Sequence, residues 1–416
     1  MTLTTNGDDG RDAQARALDE QILSFIASER PSDADFDRLA LACFAYQYER
    51  CEPYRRLCDR AGQSPHDVSS WVDVPPVQSA SFAIARLACF PRERTTVEFH
   101  SSGTTSSGER ASTIELDSPE LYEASLLAHF RRRIMPDAPT MRILALVPSR
   151  TDAPNSSLSY MAAHLIDSVG ADGSGFFIVD GELAYEALCE ALARPEPAIV
   201  FGTAFSFVHL FDRCRPDGLT FRLPAGSRVV ETGGFKGRSR EVPREELYGS
   251  FTEFLAVPRE MCASEYGMCE LSSQWYDATI ERRPSLGIPH SAGIPHAVDI
   301  PHAVDIPHSV DIPHPVGMPH SVGKQHSVGT AHSVKVGPHW AKAIVVDPMT
   351  ARPVEPGTEG LIRIFDLSNR GSVCALVTGD LGVERDGGFV LLGRSAGAPP
   401  KGCSIEADEL LTRGRG

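Results

Sequence analysis

Between Met141 and Phe235, short apolar runs alternate with amphipathic stretches, and this rhythm predicts an α/β protein whose sheet is substantially parallel. Apolar residues at helical spacing before residue 95 add an N-terminal helical cap, and turn-rich strands after residue 335 add a small β-rich C-terminal part. The expected organisation is a cap over 1–95, an α/β core over 96–286, a histidine-bearing insertion over 287–334 and the β-rich segment over 335–416.

A chain of 416 residues that is 42% hydrophobic can bury a large core. Its net charge of -15, with no compensating basic stripe, argues against nucleic-acid or anionic-membrane partners, so any bound anion needs a local site. The polar, acidic start MTLTTNGDDGRDAQ has neither a signal-peptide core nor a membrane anchor, and a cytoplasmic protein is expected. Ten cysteines without CxxC spacing fit reduced thiols, mostly small core residues.

In chain order, Leu18 to Ile26, Phe36 to Cys51 and Tyr54 to Gly62 read as helices. Turn formers around Trp71 and Pro75-Pro76 lead to a strand over Thr96 to Phe99, and a second strand is expected over Ser112 to Leu116. Ser118 caps the next helix with Pro119 in its first turn. MRILALVP, GFFIVD, AIVFGTAFSFVHLF and SRVVETGGF read as apolar runs, and SSLSYMAAHLIDSV and GELAYEALCEALA as helices alternating with them. The closing segment reads as antiparallel β with DP and DGG turns.

Between the two strands flanking it lies EFHSSGTTSSGERAST, with Ser101 through Gly108 composed of hydroxyl residues and glycine alone. Glycines permit close backbone approach, successive N–H groups can point inward and hydroxyls donate to oxyanions, so the run is read as a phosphate cradle rather than a linker. His66 and His100 read as turn or supporting residues.

Ligands of parallel sheets collect at the carboxyl ends of strands. Glu231-Thr232-Gly233-Gly234 ends such a strand, where bare backbone suits a flat ligand; a glycine turn before a basic tail at Lys236, Arg238 and Arg240 fits equally. Tyr266-Gly267-Met268-Cys269-Glu270 places a ring and a carboxylate in one loop, and a carboxylate beside a phosphate cradle suits Mg²⁺. Asp380 in VTGDLG and Arg394 in LLGR, taken singly, read as a turn cap and a surface residue. From Gly287 to Val334 a six-residue unit repeats, GIPHSA to GTAHSV, placing eight histidines at that period. Imidazole suits zinc, copper or nickel, but the array has no Cys and few carboxylates, so it is read as an expanded surface loop with incidental metal affinity.

The ordered set SSGTTSSGERA, ETGGF, EYGMCEL, VTGDLG and LLGR resembles the core motifs of the adenylate-forming (ANL) superfamily. FAYQYERCEPYRRLCDR, WVDVPPVQSASF, ETGGFKGRSREV and GRSAGAPPKGCSIEADEL narrow the resemblance to LuxE-type acyl-protein synthetases. It implies an ANL-type adenylation domain using ATP and Mg²⁺. Ser101, Ser102, Gly103, Thr104 and Thr105 would grip phosphates, Glu270 would hold Mg²⁺, and Asp380 and Arg394 would contact the nucleotide. Tyr266, Gly267, Gly233 and Gly234 would line the adenine. The loop lysine common in that superfamily is replaced by Glu109-Arg110, and Cys269 stands where many members have Thr.

The chain stops shortly after Arg394, so the resemblance implies that the mobile C-terminal lobe with its catalytic lysine is absent. It also implies that Cys403, beside Lys401, accepts the acyl group as a thioester, with a fatty or other carboxylic acid as substrate and an acyl reductase as partner, as in bioluminescence systems. The alternatives are an acyl- or aryl-CoA ligase and a non-catalytic metal- or partner-binding protein on an adenylation fold.

Overall fold

The computed structural model describes residues 12–101, 112–233, 242–281 and 334–395. They belong to one compact unit formed by Met1–Arg282 and Ser333–Gly416; Arg283–His332, which hold the hexapeptide repeat, count as a separate unit outside the described residues.

Three helices open the chain: α1 (Ala13–Ile26), α2 (Asp33–Arg50) and α3 (Glu52–Arg60). Side-chain caps start the first two, with Asp12 accepting from the Ala15 N–H and Ser32 from the Asp35 N–H. A short strand β1 (Val77–Gln78) follows, then the hairpin β2 (Val97–His100) and β3 (Thr113–Leu116), paired antiparallel from Val97↔Leu116 to His100↔Thr113. The helix α4 (Glu120–Ile134) begins two residues later than Ser118: Pro119 occupies the cap position, and Ser118 Oγ accepts from the Glu120 N–H at 3.3 Å.

The alternating core then runs β4 (Arg142–Pro148), α5 (Ser157–Val169), β5 (Gly175–Val179), β6 (Glu182–Leu183), α6 (Tyr185–Leu192), β7 (Ala198–Thr203), α7 (Ala204–Cys214), β8 (Arg228–Thr232), α8 (Arg244–Leu255) and β9 (Cys262–Tyr266). The helix expected over GELAYEALCEALA starts only at Tyr185. Asp180 and Gly181 adopt left-handed φ values of 52° and 81°, a two-residue turn that folds β6 back onto β5.

After β9 come β10 (Trp275–Asp277) and β11 (Val334–Val336), one on each side of the repeat, then β12 (Ala341–Val346), β13 (Glu359–Asp366), β14 (Ala375–Arg385) and β15 (Gly388–Arg394). These pair antiparallel as expected, and Asp386 and Gly387 supply the positive φ of the DGG turn. One 13-stranded sheet results, in the order β12-β13-β14-β15-β11-β10-β9-β8-β7-β4-β5-β6, with β1 on β14. The β9-β8-β7-β4-β5 portion is parallel. One core, with Phe44, Phe130, Ile199 and Ile364, lies between α1–α5 and the sheet; another, with Phe207, Phe211 and Phe251, lies under α6–α8.

The sequence-distant parts meet at Arg370, whose guanidinium is buried. Its Nε donates to Asp19 Oδ1 at 2.6 Å, and its Nη atoms donate to Asp19 Oδ2 at 2.8 Å and to both Asp117 oxygens at 3.1 Å. Burial works against the charge, but the two carboxylates outweigh it and hold the arginine protonated. Beside it, the Gln47 amide donates to the Asn369 and Arg370 carbonyls at 3.1 and 3.2 Å and accepts from the Cys374 N–H. Arg370→Met would leave Asp19 and Asp117 buried without their cation, so urea unfolding should report a loss of about 3–5 kcal/mol. A loss below about 1 kcal/mol would show that the network is dispensable.

Candidate active site

Parallel pairing sets Thr232 on β8 beside Glu265 on β9, so Gly233 and Tyr266 follow together at the carboxyl edge of the sheet. Among the described residues, a Cβ added at Gly233 would meet no atom within 4 Å. One residue beyond Tyr266, a Cβ at Gly267 would stand 2.3 Å from Glu265 Oε1, so a side chain there would push the Glu265 carboxylate aside.

The Tyr266 ring lies edge-on to Phe389 at 5.2 Å, and its hydroxyl donates to Asp380 Oδ2 at 2.9 Å. Burial, reinforced by the nearby Asp380 carboxylate, raises the phenol well above its ordinary value, so it remains a donor at neutral pH. Asp380 pairs across the ladder with Arg394, whose Nε lies 3.5 Å from Oδ1 while 85% of the Arg394 side chain stays exposed. Such an exposed pair adds little stability and leaves most of the guanidinium free for another anion. Strand spacing alone would separate β9 from β14 by about 19 Å over four steps of a flat sheet. The Tyr266–Asp380 hydrogen bond therefore requires the sheet to curl over these four steps.

Glu270 is buried, and its Oε2 accepts from Cys269 Sγ at 3.2 Å; no cationic side chain pairs with it among the described residues. Its loop is clamped from the segment after β13. Asn369 Nδ2 donates to the Glu270 carbonyl at 2.8 Å, and Asn369 Oδ1 accepts from the Ser272 N–H at 2.9 Å. Asp366 accepts from the Ser272, Ser273 and Ser368 N–H groups and from Ser273 Oγ at 2.7–3.1 Å. Burial raises its carboxyl to about 6 although these donors pull the other way.

Ser101 closes the β2–β3 hairpin: its N–H donates to the Ser112 carbonyl and its Oγ accepts from the Ser112 N–H, both at 2.9 Å. His100 Nε2 lies 2.5 Å from Glu98 Oε1, with the ring partly exposed, in keeping with a supporting residue. Ser102, Gly103, Thr104, Thr105, Arg110, Gly234, Lys401 and Cys403 lie outside the described residues.

The sequence did not point to the polar row beneath the site. Tyr248 donates to Glu231 Oε1 at 3.1 Å, Arg244 holds Asp277 Oδ2 at 2.6 Å, and Lys335 Nζ lies 2.9 Å from Asp277 Oδ1. Asp366 and Asn369 were missed as well; their only local signal was the turn-forming DLSN. Among the described residues no group of three or more His, Cys, Asp or Glu could hold a metal, and no helix is long and apolar enough to cross a membrane.

The fold is similar to that of solved ligases. The chain is similar to 2-hydroxyisobutyryl-CoA ligase in its open conformation with 2-HIB-AMP and CoA, at 16% identity and a TM-score of 0.57, covering 89% of this chain and 75% of that one. The same ligase in its thioesterification state gives 15% identity and a TM-score of 0.55 over 95% and 73% of the two chains. Residues 13–263 match the family described as acyl-protein synthetase, LuxE, and the chain belongs to that family. A long-chain-fatty-acid–luciferin-component ligase of Vibrio harveyi is 21% identical over 390 residues, 90% of this chain and 88% of the relative.

Asp366 gives a pH test of the clamp. Its folded value of about 6 lies above the ordinary 3.8, so its contribution to stability is full below pH 3.8 and is lost as pH rises through 6. The stability advantage of wild type over Asp366→Asn should shrink by roughly 2–3 kcal/mol between pH 4 and pH 7 in chemical denaturation. A constant difference across that range would place the ionisation elsewhere.

Proposed function

We propose that this chain activates a carboxylic acid with ATP as an acyl-adenylate and passes the acyl group to Cys403 as a thioester. The observation that carries the reading is the convergence of Tyr266, Asp380 and Arg394, from strands far apart in the sheet, beside the backbone of Gly233. A ring, bare backbone, a carboxylate to accept from ribose hydroxyls and a partly free guanidinium suit a nucleoside phosphate.

The donor set also fits Mg²⁺. Glu270 is a buried carboxylate with only a thiol donor on its recorded side-chain contacts, and Mg²⁺ commonly takes one or two protein carboxylates while substrate phosphates and water complete its shell. Bound there, the ion would neutralise phosphate charge. The chain's own residues do the rest. Asp366 and Asn369 hold the Glu270 loop in register, Tyr266 and Asp380 orient the nucleoside, Ser101 supplies its hydroxyl, and Ser102, Gly103, Thr104 and Thr105 supply N–H and hydroxyl donors. A carboxylate oxygen of the acid attacks the α-phosphorus, and the bond to the bridging oxygen breaks as pyrophosphate leaves. The Cys403 thiolate then attacks the acyl carbon and AMP departs, leaving a thioester for a partner such as an acyl reductase. The Vibrio relative's name makes long-chain fatty acids the first acids to offer.

Glu270→Gln keeps the shape of the side chain and loses its charge. Pyrophosphate exchange should fall at least a hundredfold with the melting transition unchanged, and full exchange in this variant would remove Glu270 from the site.

Cys403→Ser separates the two half-reactions. It should still form acyl-AMP, while labelled acid should no longer remain on the protein as a hydroxylamine-labile adduct, since an unactivated hydroxyl is a far weaker nucleophile than a thiolate. A thioester persisting in the variant would make another cysteine the acceptor; coenzyme A-dependent turnover without any adduct in wild type would favour the acyl-CoA ligase reading.

A further inference from the structure

The thiol beside Glu270 is a group that the scheme above does not use. After β9 the chain turns tightly: the Leu271 N–H donates to the Met268 carbonyl at 3.1 Å, so Cys269 and Glu270 occupy the two central positions of a turn. Their side chains meet there. Cys269 Sγ lies 3.2 Å from Glu270 Oε2, and each residue is only 8% exposed. The backbone beyond is held as well, by Asn369 Nδ2 on the Glu270 carbonyl at 2.8 Å and by Asp366 and Asn369 accepting from the Ser272 N–H at 3.1 and 2.9 Å. Sulfur and carboxylate are thus presented together on a fixed turn.

A carboxylate so enclosed, with no cationic side chain paired to it among the described residues, favours a cation. Its neighbour decides which cation. Carboxylate, phosphate and water suit Mg²⁺, whereas a thiolate is a soft ligand that Mg²⁺ takes poorly and that Zn²⁺ or Cd²⁺ takes well. The spacing suits the second group. With Zn–S of about 2.3 Å and Zn–O of about 2.1 Å, two ligands stand about 3.1 Å apart at a right angle and about 3.6 Å apart at the tetrahedral angle. The observed 3.2 Å lies between these limits, so the pair can close on such an ion with little movement of the turn.

We propose that Cys269 and Glu270 together bind a thiophilic divalent cation of the Zn²⁺ class, which displaces Mg²⁺ and stops adenylation. One metal–sulfur and one metal–oxygen bond form, the thiol proton passes to solvent, water or substrate phosphate completes the shell, and no electron is transferred. The cation site stands on the pair itself; its effect on turnover rests on the reading of Glu270 as the Mg²⁺ ligand of an acid-activating enzyme.

Cadmium is the probe, because a cadmium–thiolate bond adds an ultraviolet charge-transfer band that imidazole and carboxylate ligands do not give. Titrated into the purified, reduced full chain without nucleotide, Cd²⁺ should raise that band in wild type with a component at least tenfold tighter than any left in Cys269→Ser or Cys269→Thr; the other cysteines give the same background in each. Glu270→Gln keeps the thiol and should weaken that component about tenfold. In parallel, Zn²⁺ should inhibit pyrophosphate exchange in wild type and excess Mg²⁺ should relieve the inhibition, while Cys269→Thr should need at least tenfold more Zn²⁺ to halve its own exchange rate. Identical Cd²⁺ titrations in wild type and both Cys269 variants overturn the site, as does unchanged affinity in Glu270→Gln. Zn²⁺ inhibition that is insensitive to Mg²⁺, or equal in wild type and Cys269→Thr, overturns the displacement. A wild type that binds Cd²⁺ through this pair but exchanges with no acid in a broad panel overturns instead the acid-activation reading.

Discussion

One buried guanidinium sets the geometry on which the site depends. Arg370 reaches Asp19 across 351 positions of sequence and Asp117 across 253, fixing α1 and the start of α4 against the segment between β13 and β14. The same segment is stitched elsewhere by the Cys89 N–H on the Gly371 carbonyl and by Ser372 Oγ on the Leu87 carbonyl, at 2.9 and 2.6 Å. Four positions before Arg370, Asp366 clamps the Ser272–Ser273 backbone, and the adjacent Asn369 holds Glu270. A desolvated ion network of this kind costs much of what it gains, and its greater effect here is to allow one arrangement of the segment and no other. Tilting that segment would move Glu270 as surely as replacing it.

Much of this was legible in the sequence because it is local. A period-two or buried run flanked by amphipathic stretches reports β4, β7 and β8, and the Ser/Gly/Thr run between two apolar stretches reports the β2–β3 hairpin closed by Ser101 and Ser112. The boundaries that moved did so for local reasons too. Asp180-Gly181 forms a left-handed turn, which turns the start of a supposed helix into β6, and Pro119 displaces Ser118 from the cap. What stayed hidden was whatever needs two distant segments. Nothing near Asp366 says that its acceptors will be used by Ser272 and Ser273, some 93 positions earlier. Lys335 reads as the first charge after a repeat, and only pairing of β10 with β11 brings it to Asp277.

The charge distribution explains how an acidic chain can hold an anion. Most of its deeply placed cations are already satisfied: Arg370 by two aspartates, Lys335 by Asp277, Arg228 by Asp137 and the Ile134 carbonyl, and Arg363 by the Val74 carbonyl. Burial lowers Arg363 to about 10 although Tyr54 and the Asp73 carboxylate pull the other way. Cations for a ligand must therefore lie at the rim, where water keeps them charged and leaves them available. Arg394 meets that condition, with most of its side chain exposed beside Asp380.

The curl of the sheet resolves how a long histidine-bearing insertion coexists with that edge. β10 and β11 are three residues each, and the repeat enters and leaves between them at neighbouring rungs, Tyr276↔Val336 and Asp277↔Lys335. Across that rung Lys335 Nζ lies 2.9 Å from Asp277 Oδ1, so the chain between the two strands is a closed loop, and the entropy of closing such a loop grows only logarithmically with its length. The Tyr266–Asp380 hydrogen bond spans these two strands and β15, from β9 to β14. The paired rungs fix the chain at Tyr276, Asp277, Lys335 and Val336, and they set no length for what lies between.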